Sequence, residues 1–359
     1  MKKIWVLCGG PSTEFEVSVN SGRVICEEID LKKNRVRPVV ITRLGRWIIG
    51  GRELASEADR TYLDAYFERA TSPNMTVSSA NISAALKQMT TEHVDCAVLA
   101  LHGQYGEDGR MQGFLEMAGI PYTGARCLSS ALAFNKILSL DVFRRAGLTT
   151  PKGVHITKTN RKAAVAAAKE LAYPVFVKPV CGGSSVGLTL VHKASELNAA
   201  IDAALTTDEE ALVESRVDGV EVSCGVLDVV KGDKVETITL PPTEIRPMEA
   251  EFFDYTAKYV AGKSKEITPA DLPKKVLAAI QECALNAHRA LGCEGVSRTD
   301  MIIPSKEPRT PVVLETNTLP GMTRTSLLPQ QCAATGIKFG EFVQGMIDHA
   351  IHRHKTRRH

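Results

Sequence analysis

The segment Leu314-Glu315-Thr316-Asn317-Thr318-Leu319-Pro320-Gly321-Met322 has the pattern of a β-strand that Pro-Gly ends. Glu315 and Asn317 stand two residues apart, so on a strand both side chains point to the same face. A carboxylate and an amide offer hard oxygen ligands, which suit Mg²⁺ when phosphates supply the remaining ligands. Asp300, fifteen residues before Glu315, completes a candidate set of three ligands. The sequence therefore predicts a metal–nucleotide site and requires a phosphate-binding loop elsewhere in the chain.

Composition sets limits on the class of protein. A chain of 359 residues predicts about two domains, and 44% hydrophobic with 24% charged residues is ordinary for a soluble globular protein. The formal net charge of +3 is too small to indicate a nucleic-acid partner. The basic end, His352 to His359, is interpreted as a solvated tail rather than a nucleic-acid or membrane contact.

The cysteines and the N-terminus bear on location. Nine cysteines form no C-x-x-C pair, which favours buried thiols in a reducing compartment over zinc or disulfides. The apolar run at the start ends at Gly9-Gly10-Pro11, too soon for a signal peptide, so it predicts a first strand. No apolar stretch is long enough to span a membrane. We expect a cytoplasmic protein without a membrane partner.

The first part of the chain alternates strands with helices. Strands are predicted at Lys2–Cys8, Val36–Ile41 and Val94–Leu101, which indicates a mostly parallel sheet covered by helices. Ligands of such sheets bind beyond the carboxyl ends of the strands, where Gly9-Gly10 and His102-Gly103 lie.

The rest of the chain has a different pattern. One helix is predicted at about Ser129–Ala146 and a long one at Pro273–Leu291. Further strands are predicted at Val154–Ile156, Val175–Lys178, Leu188–His192, Ala211–Arg216, Glu221–Val230, Lys234–Leu240, Arg298–Ile303 and Val312–Asn317. Those from Ala211 to Leu240 are interpreted as successive antiparallel strands. The predicted fold class is α/β, with a parallel-sheet N-terminal domain followed by an α+β domain.

A glycine-rich loop is the candidate phosphate cradle. Lys178 ends a strand and is followed by Gly182-Gly183-Ser184-Ser185-Val186-Gly187. Small residues let successive backbone N–H groups surround an anion, and the serines add hydroxyl donors. The alternative is a hairpin turn with a surface lysine. The loop is neither a Walker A sequence nor a dinucleotide fingerprint, because no Gly-Lys-Ser/Thr ends it and a strand, not a helix, follows.

Three more residues could serve a nucleotide. Lys136 lies in a helical pattern and could reach a second phosphate, although a single lysine is more often on the surface. Glu214 could accept a hydrogen bond from an adenine amino group, and Glu221 from ribose hydroxyls. From the residues alone, a solvated strand edge is the favoured interpretation of both glutamates.

Seven motifs in order resemble the D-alanine–D-alanine ligases of the ATP-grasp superfamily over nearly the whole chain. They are Gly-Gly-Pro-Ser-Thr-Glu-Phe-Glu-Val-Ser (9–18), His-Gly-Gln-Tyr-Gly-Glu-Asp-Gly-Arg-Met-Gln-Gly (102–113), Ile-Pro-Tyr-Thr-Gly (120–124), Phe-Val-Lys-Pro with Gly-Gly-Ser-Ser-Val-Gly (176–187), Phe-Asp-Tyr-Thr-Ala-Lys-Tyr (253–259), Gly-Cys-Glu-Gly-Val-Ser-Arg-Thr-Asp (292–300) and Glu-Thr-Asn-Thr-Leu-Pro-Gly-Met-Thr (315–323).

This resemblance implies a Rossmann-like, pre-ATP-grasp domain (1–126) and a two-lobed ATP-grasp domain. The central lobe would span 127–212 and the C-terminal lobe 213–359, with a lid loop at 246–268. The implied activity is ATP-dependent ligation of two D-alanine molecules through an acyl phosphate, for peptidoglycan precursors. It further implies ATP, two Mg²⁺ or Mn²⁺ ions and a homodimer.

The resemblance also implies roles for individual residues. The metal ligands would be Asp300, Glu315 and Asn317. The ATP-binding residues would be Lys136, Lys178, Gly183, Ser184, Ser185, Glu214, Glu221 and Lys258. The amino acids would be held by Glu16, His102, Arg298, Gly321, Ser326 and Leu327. The catalytic set would be Glu16, Ser184, Tyr259, Arg298 and Ser326, with Tyr259 of the lid bonded to Ser184 and Glu16.

Several of these residues also have a purely structural interpretation. Arg298 could form only a salt bridge with Asp300 or Glu315, Glu16 could stabilise a helix N-terminus, and Ser326 could belong to a polar turn. Among functions, a D-lactate or D-serine acceptor and a non-ligating nucleotide-binding regulator compete with D-alanine ligation. Tyr259 favours an amine acceptor. The presence of the metal-binding and catalytic residues that the resemblance implies argues against a regulator.

Overall fold

Three β-sheets organise the part of the chain that the structure describes. The structure is a computed structural model and describes residues 1–72, 78–184, 186–247, 264–307 and 309–357. The first sheet lies in the N-terminal third, the second in the middle, and the third and largest towards the C-terminus. Their succession confirms the predicted class of a parallel α/β sheet followed by α+β structure.

The first sheet has the order β3-β2-β1-β4, with β1 parallel to both of its neighbours and β3 antiparallel to β2. Its strands are β1 (Lys2–Gly9), β2 (Asn34–Ile41), β3 (Trp47–Ile49) and β4 (Cys96–Leu99). The helices of this part are α1 (Phe15–Glu28), α2 (Leu63–Thr71), α3 (Ile82–Thr91) and α4 (Arg110–Met117).

Strand β1 is buried on both faces because helices cover both sides of the sheet. Ile4 and Val6 pack with Ile25 of α1 on one face. Trp5 and Leu7 pack into a separate cluster on the other face. Each fully buried aliphatic side chain contributes about 1.5–3 kcal/mol relative to its exposed state. This double burial explains the unbroken apolar run of β1 and fixes where its carboxyl end emerges.

The second sheet is antiparallel and has the order β5-β8-β6-β7. Its strands are β5 (Gly153–Ile156), β6 (Val175–Pro179), β7 (Thr189–Val191) and β8 (Ala211–Ser215). The helices are α5 (Cys127–Phe134), α6 (Lys136–Arg145), α7 (Arg161–Lys169) and α8 (Leu197–Ala204). Alanines of α7 and α8 pack on β6 and β8, which lets both helices approach the sheet closely.

The third sheet follows the path β12-β11-β9-β13-β14, and β10 pairs with β9. Its strands are β9 (Gly219–Lys231), β10 (Lys234–Thr239), β11 (Thr243–Pro247), β12 (Ser264–Ile267), β13 (Val296–Pro304) and β14 (Val312–Asn317), and every pairing is antiparallel. The helices are α9 (Lys274–Ala290), α10 (Leu327–Ala334) and α11 (Phe339–Thr356).

Two sequence predictions about these lobes are wrong in detail. Strand β8 is predicted to pair with the strand after it, but it pairs with β5 and β6 of the second sheet. The predicted boundary at residue 212 therefore cuts through β8, and we propose that the lobe changes after Ser215. The helix predicted at Ser129–Ala146 is broken at Asn135, whose backbone is extended (φ −90°, ψ 107°).

Within the described ranges, none of the helices combines the length and the hydropathy that a membrane crossing needs. All nine cysteines are free thiols, and seven of them are buried.

Candidate active site

The three predicted metal ligands lie side by side on the third sheet. Asp300 of β13 pairs in register with Glu315 of β14, and Arg298 pairs with Asn317. Because residues two apart on a strand share a face, all four side chains project from the same side of the sheet. They line a cavity of about 410 Å³. The structure thus brings the predicted set together.

Positive side chains balance the two carboxylates. Arg298 donates to both oxygens of Asp300, from Nε at 3.0 Å and from Nη2 at 2.7 Å. The Ser223 hydroxyl donates to Asp300 Oδ1 at 2.6 Å. Lys136 Nζ lies 3.9 Å from Glu315 Oε2. The salt bridge considered for Arg298 is therefore present, and it holds the guanidinium beside the candidate metal ligands.

The donor set fits a hard divalent cation. Two carboxylates and one amide supply oxygen only, which suits Mg²⁺ and Mn²⁺ better than softer metals. The set has only two acidic members, and the described ranges contain no group of three or more His, Cys, Asp or Glu side chains arranged to hold a metal ion. A metal ion at β13 and β14 would therefore need Asn317 or ligands from a bound molecule as well.

The break at Asn135 aims Lys136 at the glycine-rich loop. The Asn135 side chain accepts a hydrogen bond from Leu138 N at 3.0 Å and so caps α6, which begins at Lys136. Lys136 Nζ then donates to the Gly182 carbonyl at 2.6 Å. A continuous helix would direct this lysine elsewhere, so the irregular residue before it places its charge in the site.

Lys178 is the second cation of the site. Its Nζ lies 2.6 Å from Glu214 Oε2, and both side chains are almost wholly buried. Burial by itself would lower the pKa of Lys178, but Glu214 and Glu315 outweigh burial and raise that pKa above its ordinary value. Lys178 is therefore held as a cation beneath the loop.

A second cavity of about 440 Å³ adjoins the first and has a more apolar wall. Phe176, Leu188 and Ile302 contribute apolar surface, whereas Lys178 and Glu214 contribute charge. Glu214 Oε1 is buried and has no hydrogen-bond partner among the described residues. A buried acceptor without a partner is costly, so this oxygen suits a donor from a bound molecule. The wall residues that the two cavities share include Lys136, Gly182, Gly183, Ser184, Glu221, Asp300 and Glu315.

The N-terminal domain closes the first cavity through Glu14. The resemblance implies that Tyr259 joins Ser184 to Glu16, but in the structure the Ser184 hydroxyl donates directly to Glu14 through a short hydrogen bond. Glu14 is buried, with 6% of its surface exposed. The Glu16 side chain is 73% exposed and pairs with Arg43 at 2.5 Å, and that hydrogen bond lowers the pKa of Glu16.

The phase of α1 explains the difference. Ser18, Ser21 and Ile25 are buried along one stripe of the helix. Glu14 lies four residues before Ser18 and continues this stripe, whereas Glu16 falls outside it. Two of these buried residues are serines, so the apolar periodicity of the sequence does not reveal the stripe.

His102 is buried between the N-terminal domain and the third sheet. Its Nε2 lies 3.0 Å from the Ser21 hydroxyl and its Nδ1 lies 3.1 Å from the Leu319 carbonyl. Glu107, which sequence reasoning missed, lies 3.5 Å from Nδ1, and burial raises the pKa of Glu107. Both ring nitrogens of His102 are thus engaged, so His102 would have to exchange one of these partners to bond to the first substrate, which the resemblance places near it.

The predicted acceptor segment also reaches the first cavity. Gly321, Ser326 and Leu327 line it, and Leu327 begins α10. Ser326 Oγ accepts a hydrogen bond from Thr323 N at 3.1 Å, which folds the segment back on itself. A Cβ atom on residue 321 would lie 2.8 Å from Ser326 Oγ, so a larger residue there would displace this hydroxyl. Ser185, Lys258 and Tyr259 lie outside the described residues.

Comparison with known proteins identifies the family. Residues 3–125 match the model of the D-ala D-ala ligase N-terminus, and residues 142–348 match that of the C-terminus. The chain belongs to the D-alanine–D-alanine ligase family. The family resemblance and the enzyme class that the sequence predicts are thereby confirmed.

Individual relatives are similar over nearly their whole length. The chain is 38% identical to a D-alanine–D-alanine ligase of Leptospira interrogans (98% of this chain, 99% of the relative). It is 41% identical to the ligase of Leptospira biflexa (96% and 98%).

Solved structures of this family share the fold. The VanG D-Ala:D-Ser ligase of Enterococcus faecalis superposes with a TM-score of 0.80 at 35% identity (97% of this chain, 99% of that chain). The D-alanine–D-alanine ligase of Bacillus anthracis, solved in complex with ATP, superposes with a TM-score of 0.73 at 28% identity (99% of each chain). These superpositions confirm the predicted fold class.

Proposed function

We propose that the protein joins two D-alanine molecules to D-alanyl-D-alanine at the expense of ATP, for peptidoglycan precursors. The observation that carries this proposal is the pair of adjoining cavities, which share the glycine-rich loop, Lys136 and the carboxylates of β13 and β14. One cavity has the wall of a nucleotide site, and the other is lined by the predicted amino-acid-binding residues. The shared wall is where a phosphoryl group would pass between them.

The more apolar cavity would hold ATP. Its apolar residues would pack on adenine. Glu214 Oε1, which has no partner among the described residues, would accept from the adenine amino group. Glu221 would accept from ribose hydroxyls. Lys136 and Lys178 would bind phosphate oxygens, and in doing so would exchange their present contacts with Gly182 and Glu214.

Asp300, Glu315 and Asn317 would hold two Mg²⁺ or Mn²⁺ ions. When bound, such ions neutralise the phosphate oxygens and orient the transferring phosphoryl group. Together with Arg298, the ions would supply the positive charge that stabilises phosphoryl transfer.

The chain's own residues would then position the two amino acids. Glu14 would hold the ammonium group of the first D-alanine, in place of Glu16, and the carboxylate of that D-alanine attacks the γ-phosphoryl group. The second D-alanine, held through its carboxylate by Ser326 and the backbone N–H of Leu327, attacks the acyl phosphate. Arg298 would stabilise the tetrahedral oxyanion, and phosphate leaves.

A D-serine acceptor is the second candidate, because a D-Ala:D-Ser ligase superposes with a TM-score of 0.80. The product assay below also distinguishes a D-lactate acceptor. The predicted homodimer, the cytoplasmic location, the lid and the roles of Lys258 and Tyr259 remain proposals that the resemblance supports.

The test is a product assay. Purified protein is mixed with ATP, Mg²⁺ and D-alanine, with D-serine or D-lactate as competitor, and the products are identified by mass. We expect D-alanyl-D-alanine and one phosphate per dipeptide. A mixed product in excess would favour the second candidate or a D-lactate acceptor, according to its mass. ATP binding without amino-acid-dependent phosphate release would refute ligation.

A further inference from the structure

Glu266 is a carboxylate of the first cavity to which no role has been assigned. It lies on β12 opposite Ile245 of β11, and both residues line the cavity. Strand β12 stands at the end of the strand order of the third sheet, and Ser326 lines the same cavity. The Glu266 side chain is partly buried.

A single amide connects Glu266 to the acceptor segment. Gln330 Nε2 donates to Glu266 Oε2 at 2.5 Å and to the Thr325 carbonyl at 2.8 Å. Thr325 immediately precedes Ser326, so the carboxylate lies near the residues expected to bind the acceptor's carboxylate. An α-amino acid carries its amino and carboxylate groups on the same carbon, and their binding partners must lie this close together.

The other described carboxylates of this cavity have partners or roles elsewhere. Glu14 and Glu107 belong to the N-terminal side, Asp300 and Glu315 form the candidate metal set, Glu16 pairs with Arg43 and Glu221 also lines the nucleotide cavity. Burial raises the pKa of Glu266, while the Gln330 hydrogen bond and the charge of Arg298 oppose that rise. A cation bound at Glu266 would therefore relieve the cost of burying its charge.

We propose that Glu266 binds the ammonium group of the acceptor amino acid and thereby favours an amine acceptor over a hydroxy acid. This inference rests on the proposed ligase function and names the residue that would select its second substrate. A D-2-hydroxy acid presents a neutral hydroxyl where D-alanine presents a charge, so it gains nothing from the carboxylate.

The variant Glu266→Gln tests this, because glutamine keeps an oxygen that can accept from Gln330 but loses the charge. The apparent KM for acceptor D-alanine should rise about tenfold or more, the usual effect of losing a charge-assisted hydrogen bond. The share of D-lactate in a competition assay should increase. The KM for ATP and the positional isotope exchange of ATP that reports donor phosphorylation should stay within about twofold. Lys265→Gln, at the adjacent exposed position of β12, is the matched control.

Gln330→Met separates binding of the acceptor from positioning of its segment. It removes the bridging amide and keeps the Glu266 charge, so the preference for D-alanine over D-lactate should persist. An unchanged acceptor KM and product ratio in Glu266→Gln would overturn the inference. So would a loss of preference in Gln330→Met alone, which would make Glu266 only an anchor. Failure of the wild-type protein to form any dipeptide would instead refute the proposed function.

Discussion

The Ser184 hydroxyl donates a hydrogen bond to the Glu14 carboxylate and joins the glycine-rich loop to the N-terminal domain. The two residues are 170 positions apart in the chain, and both are buried. This contact places the loop of the candidate ATP site directly against the end of the cavity that would hold the first amino acid. We therefore propose that Glu14, rather than Glu16, orients the first D-alanine.

Replacing Glu14 should therefore lower activity far more than replacing Glu16. Glu14→Gln removes the buried charge that would orient the first D-alanine, and kcat/KM should fall by about 10²-fold or more. Glu16→Gln removes only an exposed pair with Arg43, and activity should stay within about threefold. Phosphate release at varied D-alanine concentration measures both. A larger loss in Glu16→Gln than in Glu14→Gln would assign the role to Glu16 instead.

The sequence predicts which residues form the site better than it predicts strand pairing and helix breaks. Residues two apart on strands share a face, so the period of β-structure placed Arg298 with Asp300 and Glu315 with Asn317. The pairing partner of a strand depends on distant residues, which is why β8 was joined to the wrong neighbour. Helical periodicity continues across Asn135, so the sequence pattern predicts one helix and does not indicate the break.

The remaining differences between prediction and structure arise where the N-terminal domain contacts the glycine-rich loop and the third sheet. Local resemblance favours Glu16, whereas burial against the glycine-rich loop selects Glu14. The sequence predicts that His102 faces a substrate, but the contacts that engage it come from Ser21 and from Leu319, which lies 217 positions further along the chain. Such contacts follow from how the N-terminal domain meets the third sheet, which no local spacing encodes.

The buried Lys178–Glu214 pair should contribute to both stability and ATP binding. Lys178→Met leaves Glu214 buried without its cation, which typically costs about 3–5 kcal/mol of unfolding free energy. The KM for ATP should also rise sharply because a phosphate loses its counter-charge. Thermal unfolding and ATP titration measure the two effects.

Two further variants sharpen this prediction. The double variant Lys178→Met with Glu214→Gln should regain much of the stability without regaining ATP affinity. Lys231→Met breaks the exposed pair with Glu236 and should change neither quantity appreciably. Normal ATP affinity in Lys178→Met would contradict the assigned role.

Acid should destabilise the fold through two buried histidines near Asp228. His349 and His288 approach Asp228 Oδ2 to 3.7 and 3.9 Å. Burial, followed by the charge of Arg353, lowers the pKa of His349 from 6.5 to about 4, and burial lowers that of His288. The unfolded chain then binds protons that the folded chain does not, so stability is full above pH 6.5 and falls as the pH decreases towards 4.

At pH 5 the contribution of His349 alone corresponds to a loss of roughly 2 kcal/mol relative to pH 7.5. Urea unfolding at the two pH values measures it. His349→Gln should lower stability at pH 7.5 but reduce the difference between pH 7.5 and pH 5. An unchanged difference would show that His349 does not control the acid sensitivity.

Two asparagine caps offer a matched test of how Lys136 is aimed. Asn135 caps α6 by accepting from Leu138 N at 3.0 Å, and Asn81 caps α3 by accepting from Ala84 N at 2.8 Å. Replacing either by alanine should cost about 1 kcal/mol of unfolding free energy, since one helix-terminal N–H loses its partner. Only Asn135 precedes a lysine that contacts the glycine-rich loop.

Asn135→Ala should therefore raise the KM for ATP about three- to tenfold, because a small displacement of Lys136 weakens a phosphate contact. Asn81→Ala should leave that KM unchanged at the same loss of stability. Equal effects of the two variants on ATP would show that general destabilisation, not the position of Lys136, limits nucleotide binding. A loss confined to Asn135→Ala would establish that the interruption between α5 and α6 serves the phosphate site.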